Sequence, residues 1–369
     1  LYGSRDSPKL WFESIRKFLL NVELLGDQGF KIEMCYHEGS VQPKEVIEGV
    51  VNGFKQGENE PCVFVHPVTG LTVVLFVDDV ITRGMPNDTT EFFNTLHKTS
   101  ALREWCILSP ENSLVHLGYR ITEEWVDNKV YRYLDQSEDV ARFIEENELD
   151  LNVRVGCPMP DKDHIIKDQT SLDREDASWY KSLVGQMGWF AISLRWDVAH
   201  AVTRLQQFTK CPTRGALNAA IRVATYLATT ADFRIGGEIG TGVNKIAYFA
   251  DSDFVGDRQL GTRSHSAFMA LLNNIPVHWR SRKQPKTVCS PAHAEIYALS
   301  EGVREARYLQ WVLADMGVEL PWHILVNVDN TQAISFCNQT CLDSKLKGMI
   351  DNRDQWVKEL KDDSIVTVD

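Results

Sequence analysis

Two apolar runs that each lead into an aspartate constrain the fold of this chain most strongly. Residues 246–250 precede Asp251, and residues 323–328 precede Asp329. Short apolar runs of this kind predict buried strands. A carboxylate at the end of such a strand is costly to desolvate unless a cation lies beside it. A pair of divalent metal ions would supply the cation and could also carry out chemistry. The pattern therefore predicts a sheet with a metal-binding edge.

A third carboxylate, Glu295, lies on the apolar face of a long predicted helix, residues 291–316. It stands four residues before Leu299, which begins the apolar stripe of that helix. Ser290 and Pro291 are typical of an N-cap and a first helical residue. Glu295 is then too far into the helix for a capping box. We interpret it as a functional carboxylate.

Other acidic positions leave alternatives open. The segment that begins at Asp251 is not an EF-hand loop, because its fifth position is Val255 and its twelfth is Thr262. Asp329 precedes a short predicted helix, so an N-cap role and a ligand role are both compatible with its position. Asp351 lies on the polar side of the last predicted helix, about residues 344–360, where a solvated charge is the default.

Residues 258–286 form a basic segment that contains six basic residues and no acidic one. Its members are Arg258, Arg263, Arg280, Arg282, Lys283 and Lys286. The net charge of the whole chain, −12, argues against a general nucleic-acid binder. A local basic strip between Asp251 and Glu295 nevertheless suits phosphates next to a metal site. The alternative is a solvated pair of surface strands.

The remaining elements predict a multidomain protein of the α+β or α/β class. With 369 residues and 43% hydrophobic content, the chain is long enough for two or three domains. Strands are predicted at 71–77, 114–121 and 130–134, and helices at 137–148, 179–194, 198–208 and 213–228. A glycine-rich link follows at 236–242. The eight cysteines show no zinc-ligand spacing, which favours a reduced, intracellular protein.

Five motifs in the C-terminal part resemble the ribonuclease H domain of copia-type retrotransposons. They are Asp251-Ser-Asp-Phe-Val-Gly256, Lys283-Gln-Pro285, Ala294-Glu-Ile-Tyr-Ala-Leu-Ser300, Asp329-Asn-Thr-Gln-Ala-Ile334 and Lys347-Gly-Met-Ile-Asp-Asn-Arg353. The resemblance implies that Asp251, Glu295, Asp329 and Asp351 bind two Mg²⁺ or Mn²⁺ ions in one active site. It also implies that the substrate is the RNA strand of an RNA–DNA hybrid. Where the family usually has a histidine just before the Ile-Asp of the last motif, the corresponding stretch of this chain reads Gly348-Met349-Ile350.

The N-terminal part resembles the reverse transcriptase of the same family. The matching segments are residues 1–8, Phe76-Val-Asp78-Asp79, His116–Ile121, Tyr180–Gly185 and Trp196–Val202. The resemblance implies that Asp78 is the principal metal ligand of a polymerase site and Asp79 a supporting one. For a lone pair of aspartates, a hairpin turn with two exposed acids is the alternative.

The resemblance predicts three regions. Residues 1–157 would be a partial reverse-transcriptase palm and thumb, with an insertion at about 21–50. Residues 158–242 would be a linker and helical connection, and residues 243–369 a ribonuclease H-like domain with a mixed sheet. A further metal-binding aspartate of the family lies upstream of the motif that opens this chain, so we expect little or no nucleotide addition from this fragment.

The resemblance also implies partners and a location. Template RNA or DNA, a primer and other Pol and Gag products of the same element are the expected partners, without a membrane. A cytoplasmic virus-like particle or the nucleus is the expected location. A decayed, non-catalytic remnant that at most binds nucleic acid is the alternative, and a free-standing nuclease is disfavoured because the polymerase-like part is so fully represented.

Overall fold

The structure is a computed structural model that describes residues 7–21, 53–99, 105–159, 165, 168–240, 242–254, 263–321, 323–338 and 352–369. Almost all of the predicted insertion at 21–50, together with Arg258 and Asp351, lies outside the described residues. The chain divides into two compact units. Unit 1 comprises Leu1–Ile107 and Trp311–Glu319, and unit 2 comprises Leu108–Gln310 and Leu320–Asp369. The division by function at residues 157 and 242 stays a prediction.

Unit 1 contains an antiparallel four-stranded sheet and two helices. The helices are α1 (Ser7–Asn21) and α2 (Pro86–Thr99), and the strands are β1 (Lys55–Gln56), β2 (Val63–Val65), β3 (Thr72–Phe76) and β4 (Asp79–Arg83). The sheet order is β1-β2-β3-β4. Ile15 and Leu19 share one face of α1, and they pack in the same core as Val73 and Leu75 of β3 and Phe92 of α2. The spacing of four residues in α1 and of two residues in β3 places these side chains on one face of each element.

Unit 2 begins with a second antiparallel sheet and a group of helices. The elements are β5 (Leu114–His116), β6 (Tyr119–Val126), β7 (Lys129–Asp135), α3 (Ser137–Glu146), α4 (Arg174–Ser193), α5 (Ala199–Gln206), α6 (Arg214–Thr229) and β8 (Arg234–Glu238). The sheet order is β5-β6-β7-β8. Helices α3 to α6 share one apolar core, and Asp173 and Thr213 cap α4 and α6 through hydrogen bonds to the helix amides.

Two sequence predictions in this part were wrong. The single strand at 114–121 is two strands, because Leu117 and Gly118 both have positive φ angles (52° and 80°) and form a tight turn. Gly236 and Gly237 do not belong to a link, because they lie in β8 and pair with β7. Composition suggested a flexible segment there, but an edge strand needs only backbone groups to join a sheet.

The rest of unit 2 is built on a mixed five-stranded sheet. Its elements are β9 (Ile246–Asp253), β10 (His265–Leu272), β11 (Ile275–Lys283), α7 (Pro291–Asp315), β12 (Ile324–Asn327), α8 (Thr331–Asn338), α9 (Asn352–Asp362) and β13 (Val366–Val368). The last five residues of α7, 311–315, belong to unit 1. The order is β11-β10-β9-β12-β13. Strands β11, β10 and β9 are antiparallel neighbours, whereas β9, β12 and β13 run parallel. The mixed α/β class is thereby confirmed, and β13 is a strand that the sequence did not predict.

Helix α7 packs closely on this sheet. At Gly302 a Cβ atom would come within 3.1 Å of the Ala250 side chain and 3.1 Å of the Phe268 ring. Glycine at this position therefore allows the helix to approach β9 and β10. None of the helices in the described ranges is both long enough and apolar enough to cross a membrane.

Candidate metal centre

Parallel pairing of β9 and β12 brings two of the predicted aspartates together. Tyr248 pairs with Val326, and three residues further along each strand the chain reaches Asp251 and Asp329. The Asn327 side-chain amide reinforces the pairing by donating a 3.0 Å hydrogen bond to the Tyr248 carbonyl. The expectation that Asp251 ends its strand was wrong, because β9 continues to Asp253 opposite β10.

The N-cap of α8 is Asn330 and not Asp329. The Asn330 side-chain oxygen accepts hydrogen bonds from the amides of Gln332 (2.9 Å) and Ala333 (3.1 Å). This satisfies two of the free amides at the start of the helix. The exposed carboxylate of Asp329 is therefore not needed for capping.

Glu295 of α7 lies beside Asp251 and Asp329. The Ser290 hydroxyl accepts a 3.2 Å hydrogen bond from the His293 amide, so the N-cap predicted for this helix is confirmed. One turn later, Glu295 is only 8% exposed. One carboxylate oxygen from each of Asp251, Glu295 and Asp329 lies within 4.8 Å of the other two. We refer to these three residues as the carboxylate cluster.

The electrostatics of the cluster favour a cation. Burial, together with the charges of Asp251 and Asp329, raises the pKa of Glu295 to about 7. Its Oε2 atom is buried and has no hydrogen-bond partner within the described part of the chain. Oxygen-only ligands with uncompensated negative charge suit Mg²⁺ or Mn²⁺ better than softer metals. The residues therefore fit the divalent ions that the resemblance implies.

Two histidines that sequence patterns did not single out lie near the cluster. The rings of His200 in α5 and His265 in β10 are 5.6 Å apart in an edge-on arrangement, and His265 pairs with Asp253 across the sheet. Desolvation and nearby cationic groups lower the pKa of His265 to about 4. Desolvation also lowers the pKa of His200, and the charges of Asp253 and Asp251 oppose that shift. Both shifts favour the neutral form of the ring, and no spacing in the sequence links α5 to the carboxylate cluster.

The basic segment is partly neutralised within the protein. Arg280 forms an ion pair with Glu305, and Arg282 forms one with Glu301. These glutamates lie on α7, about two and three turns beyond Glu295.

The other described members of the segment differ in their surroundings. Lys283 donates a 2.8 Å hydrogen bond to the Gln207 side chain, and the Lys286 ammonium lies 4.9 Å from the centre of the Tyr297 ring. Arg263 is exposed, and its guanidinium makes a long contact of 3.4 Å with the Pro285 carbonyl. The role of these residues in binding nucleic acid stays a prediction.

Asp78 and Asp79 lie at the tip of the β3–β4 hairpin in unit 1. Phe76 pairs with Asp79, so Val77 and Asp78 form the two-residue turn. Both carboxylates are exposed. No third residue of a type that binds metals joins them in a possible metal site among the described residues. The geometry matches a hairpin turn with exposed acids and is also compatible with the ligand roles that the resemblance implies.

Known proteins give the family. The chain is 25% identical to the retrovirus-related Pol polyprotein from transposon RE1 of Arabidopsis thaliana over 94% of its own length. It is 24% identical over its whole length to the corresponding polyprotein from transposon TNT 1-94 of Nicotiana tabacum. The chain belongs to the retrovirus-related Pol polyproteins of copia-type transposons. It spans only about a fifth to a quarter of the length of these relatives.

Two further similarities cover only about a third of the chain. A segment covering 35% of the chain is 36% identical to the protein named secreted RxLR effector protein 161 of Plasmopara viticola, and it covers 90% of that protein. A crystal structure of LC11-RNase H1 in complex with an RNA/DNA hybrid overlaps 34% of this chain and 83% of its own, with 14% identity and a TM-score of 0.24. A score of this size does not establish a shared fold. No protein-family model matches the chain.

Proposed function

We propose that unit 2 hydrolyses the RNA strand of RNA–DNA hybrids, with two divalent metal ions bound by Asp251, Glu295 and Asp329. The observation that carries this proposal is the carboxylate cluster, which three separate elements build at one edge of a mixed sheet. Asp351, the fourth ligand that the family resemblance implies, lies outside the described residues. Membership of the Pol polyprotein family supports a nucleic-acid substrate.

The burial of each carboxylate suits a different task. Asp251 and Asp329 are exposed and can face both a bound cation and a phosphate from solvent, whereas the buried Glu295 can contact the cation only from the protein side. Divalent ions bound there would activate water and stabilise the leaving 3′ oxygen. Arg263, exposed and without a carboxylate partner in the described structure, is the basic residue best placed to bind a neighbouring phosphate.

The test is cleavage of a labelled RNA–DNA hybrid by the full chain in Mg²⁺ or Mn²⁺. Asp251→Asn should reduce the rate at least about 100-fold, since loss of a few kcal/mol of metal-dependent stabilisation has that effect. Asp253→Asn is the matched control, because Asp253 lies on the same strand outside the carboxylate cluster. Equal rates for wild type and Asp251→Asn would refute the proposal. They would favour a remnant that only binds nucleic acid.

A polymerase origin is the second part of the proposal, and it applies to unit 1. The turn with Asp78 and Asp79 supports it, because an exposed hairpin tip can present carboxylates to metal-bound nucleotide. Nucleotide addition needs a further carboxylate beside this pair, and the described residues supply none. We therefore expect no primer extension by this chain under conditions in which it cleaves RNA.

A further inference from the structure

Gln284 is a fully buried polar side chain near the carboxylate cluster. Its exposure is 0%, and it follows directly after β11. Its backbone amide donates a 2.7 Å hydrogen bond to the Ser264 carbonyl, which extends the β10–β11 pairing by one residue. A buried amide side chain is costly unless its polar atoms have partners. The hydrogen bonds of this side chain therefore indicate why a glutamine occupies this position.

The side-chain nitrogen of Gln284 joins a strand to the start of α7. It donates to the Ser266 hydroxyl at 2.9 Å and to the Ala294 carbonyl at 3.0 Å. A carbonyl oxygen only accepts hydrogen bonds, so the nitrogen and not the oxygen of the amide must face Ala294. The side-chain oxygen has no partner in the described structure.

One of these contacts is adjacent in sequence to a member of the carboxylate cluster, and the other lies on the strand beside one. Ala294 directly precedes Glu295 in α7. Ser266 pairs across the sheet with Ser252, which directly follows Asp251 in β9. One amide nitrogen thus ties α7, which presents Glu295, to β10, the strand that pairs with the Asp251 strand β9. The Ser290 cap holds the first turn of α7 together, and within the described residues it makes no hydrogen bond to the sheet.

We infer that Gln284 is a positioning residue. It fixes the first turn of α7 both along the helix axis and in rotation about that axis, and thereby keeps Glu295 beside Asp251. This inference rests on the proposed metal-binding function. Residues that orient metal ligands typically change metal affinity about 10- to 100-fold when they are removed. Packing alone would predict a loss of stability without a loss of affinity.

The test is Mn²⁺ binding to the full chain, measured by electron paramagnetic resonance or calorimetry, for Gln284→Met. Methionine keeps the length and volume of the side chain but cannot donate. Gln310→Met is the matched control. Gln310 lies in α7 and, like Gln284, is a buried glutamine whose side-chain amide donates a hydrogen bond to a carbonyl, that of Pro321, at 3.0 Å. It lies four turns from the carboxylate cluster.

Gln284→Met should raise the half-saturating Mn²⁺ concentration about 10-fold, whereas Gln310→Met should leave it unchanged although it lowers the melting temperature. Wild-type affinity in Gln284→Met would overturn the inference. If the wild-type chain bound no Mn²⁺, the proposed function would fail. Hydrogen exchange of the amides at 292–300 would then decide the inference: faster exchange in Gln284→Met than in wild type supports it, and unchanged exchange overturns it.

Discussion

A carboxylate oxygen of Glu295 in α7 lies within 4.8 Å of one from Asp251 in β9, and Glu295 is the buried member of this pair. Two negative charges this close in a partly desolvated place repel each other unless a proton or a cation intervenes. The chain therefore has two ways to stabilise the site: it can protonate Glu295 or it can bind a cation. Which of them dominates depends on pH.

Without metal, the stability of the protein should fall as pH rises through the range that Glu295 controls. Its folded pKa of about 7 exceeds the ordinary value of 4.5, so between these values the folded state holds a proton that the unfolded state has lost. This contribution is fully present below pH 4.5 and is lost as pH rises through 7. Melting temperatures in EDTA from pH 4.5 to 8.5 should show a decline in wild type that is weaker in Glu295→Gln. Parallel curves of melting temperature against pH for the two proteins would contradict this prediction.

Gly302→Val should destabilise unit 2, because the close approach of α7 to Ala250 and Phe268 leaves no room for a side chain. Overpacking of this kind costs about 1–3 kcal/mol. Gly185→Val in α4 is the matched control, since a Cβ atom there meets nothing within 4 Å. Urea unfolding of the two variants measures the difference. Equal midpoints would show that the helix can shift without cost.

Arg195→Met should cost about 3 kcal/mol of unfolding free energy. The guanidinium is 1% exposed, forms two hydrogen bonds of 3.0 and 2.8 Å with Asp197, and contacts the Phe233 ring at 4.7 Å. Its removal leaves a largely buried carboxylate without its partner. Arg142→Met, which breaks the exposed pair with Asp139, should change stability by less than about 0.5 kcal/mol. Similar losses in both variants would refute this assignment.

Val77→Gly should stabilise unit 1 by about 1 kcal/mol. Val77 has a φ angle of 54°, a conformation that strains a β-branched residue and that glycine adopts freely. Its carbonyl accepts a 2.6 Å hydrogen bond from the Trp11 indole, and glycine preserves that bond. Val80→Gly, in the neighbouring strand, should instead destabilise, because Val80 packs on the core. A lower melting temperature in Val77→Gly would disprove the strain.

Arg263→Ala should weaken binding of an RNA–DNA hybrid more than Arg280→Ala. The Arg280 guanidinium is already paired with Glu305, whereas Arg263 is exposed and contacts only the Pro285 carbonyl among the described residues. Loss of a phosphate contact should lower the slope of log affinity against log salt by about one. Fluorescence anisotropy of the full chain in Ca²⁺, at several salt concentrations, compares the two variants. The reverse order would indicate that Glu305 releases Arg280 when the hybrid binds.

Local patterns in the sequence account for most of the elements, whereas the errors come from a short turn and from pairing between distant segments. The α7 helix, its Ser290 cap and the inward face of Glu295 follow from spacing within one segment. The turn at Leu117 and Gly118 was missed because alternation of apolar residues continues across it. Strand β13 was missed because three residues carry too little pattern, and it forms by pairing with β12.

The candidate site shows the same division. The sequence by itself determined that Glu295 faces the core, because this follows from the apolar stripe of its own helix. Only the tertiary structure decided that Asp251 and Asp329 meet, since this depends on the parallel register of two strands far apart in sequence. It also decided that Asn330 caps α8 and that glutamates of α7 neutralise Arg280 and Arg282. Hydrogen bonds and ion pairs between elements depend on distances in space, and a linear pattern does not contain them.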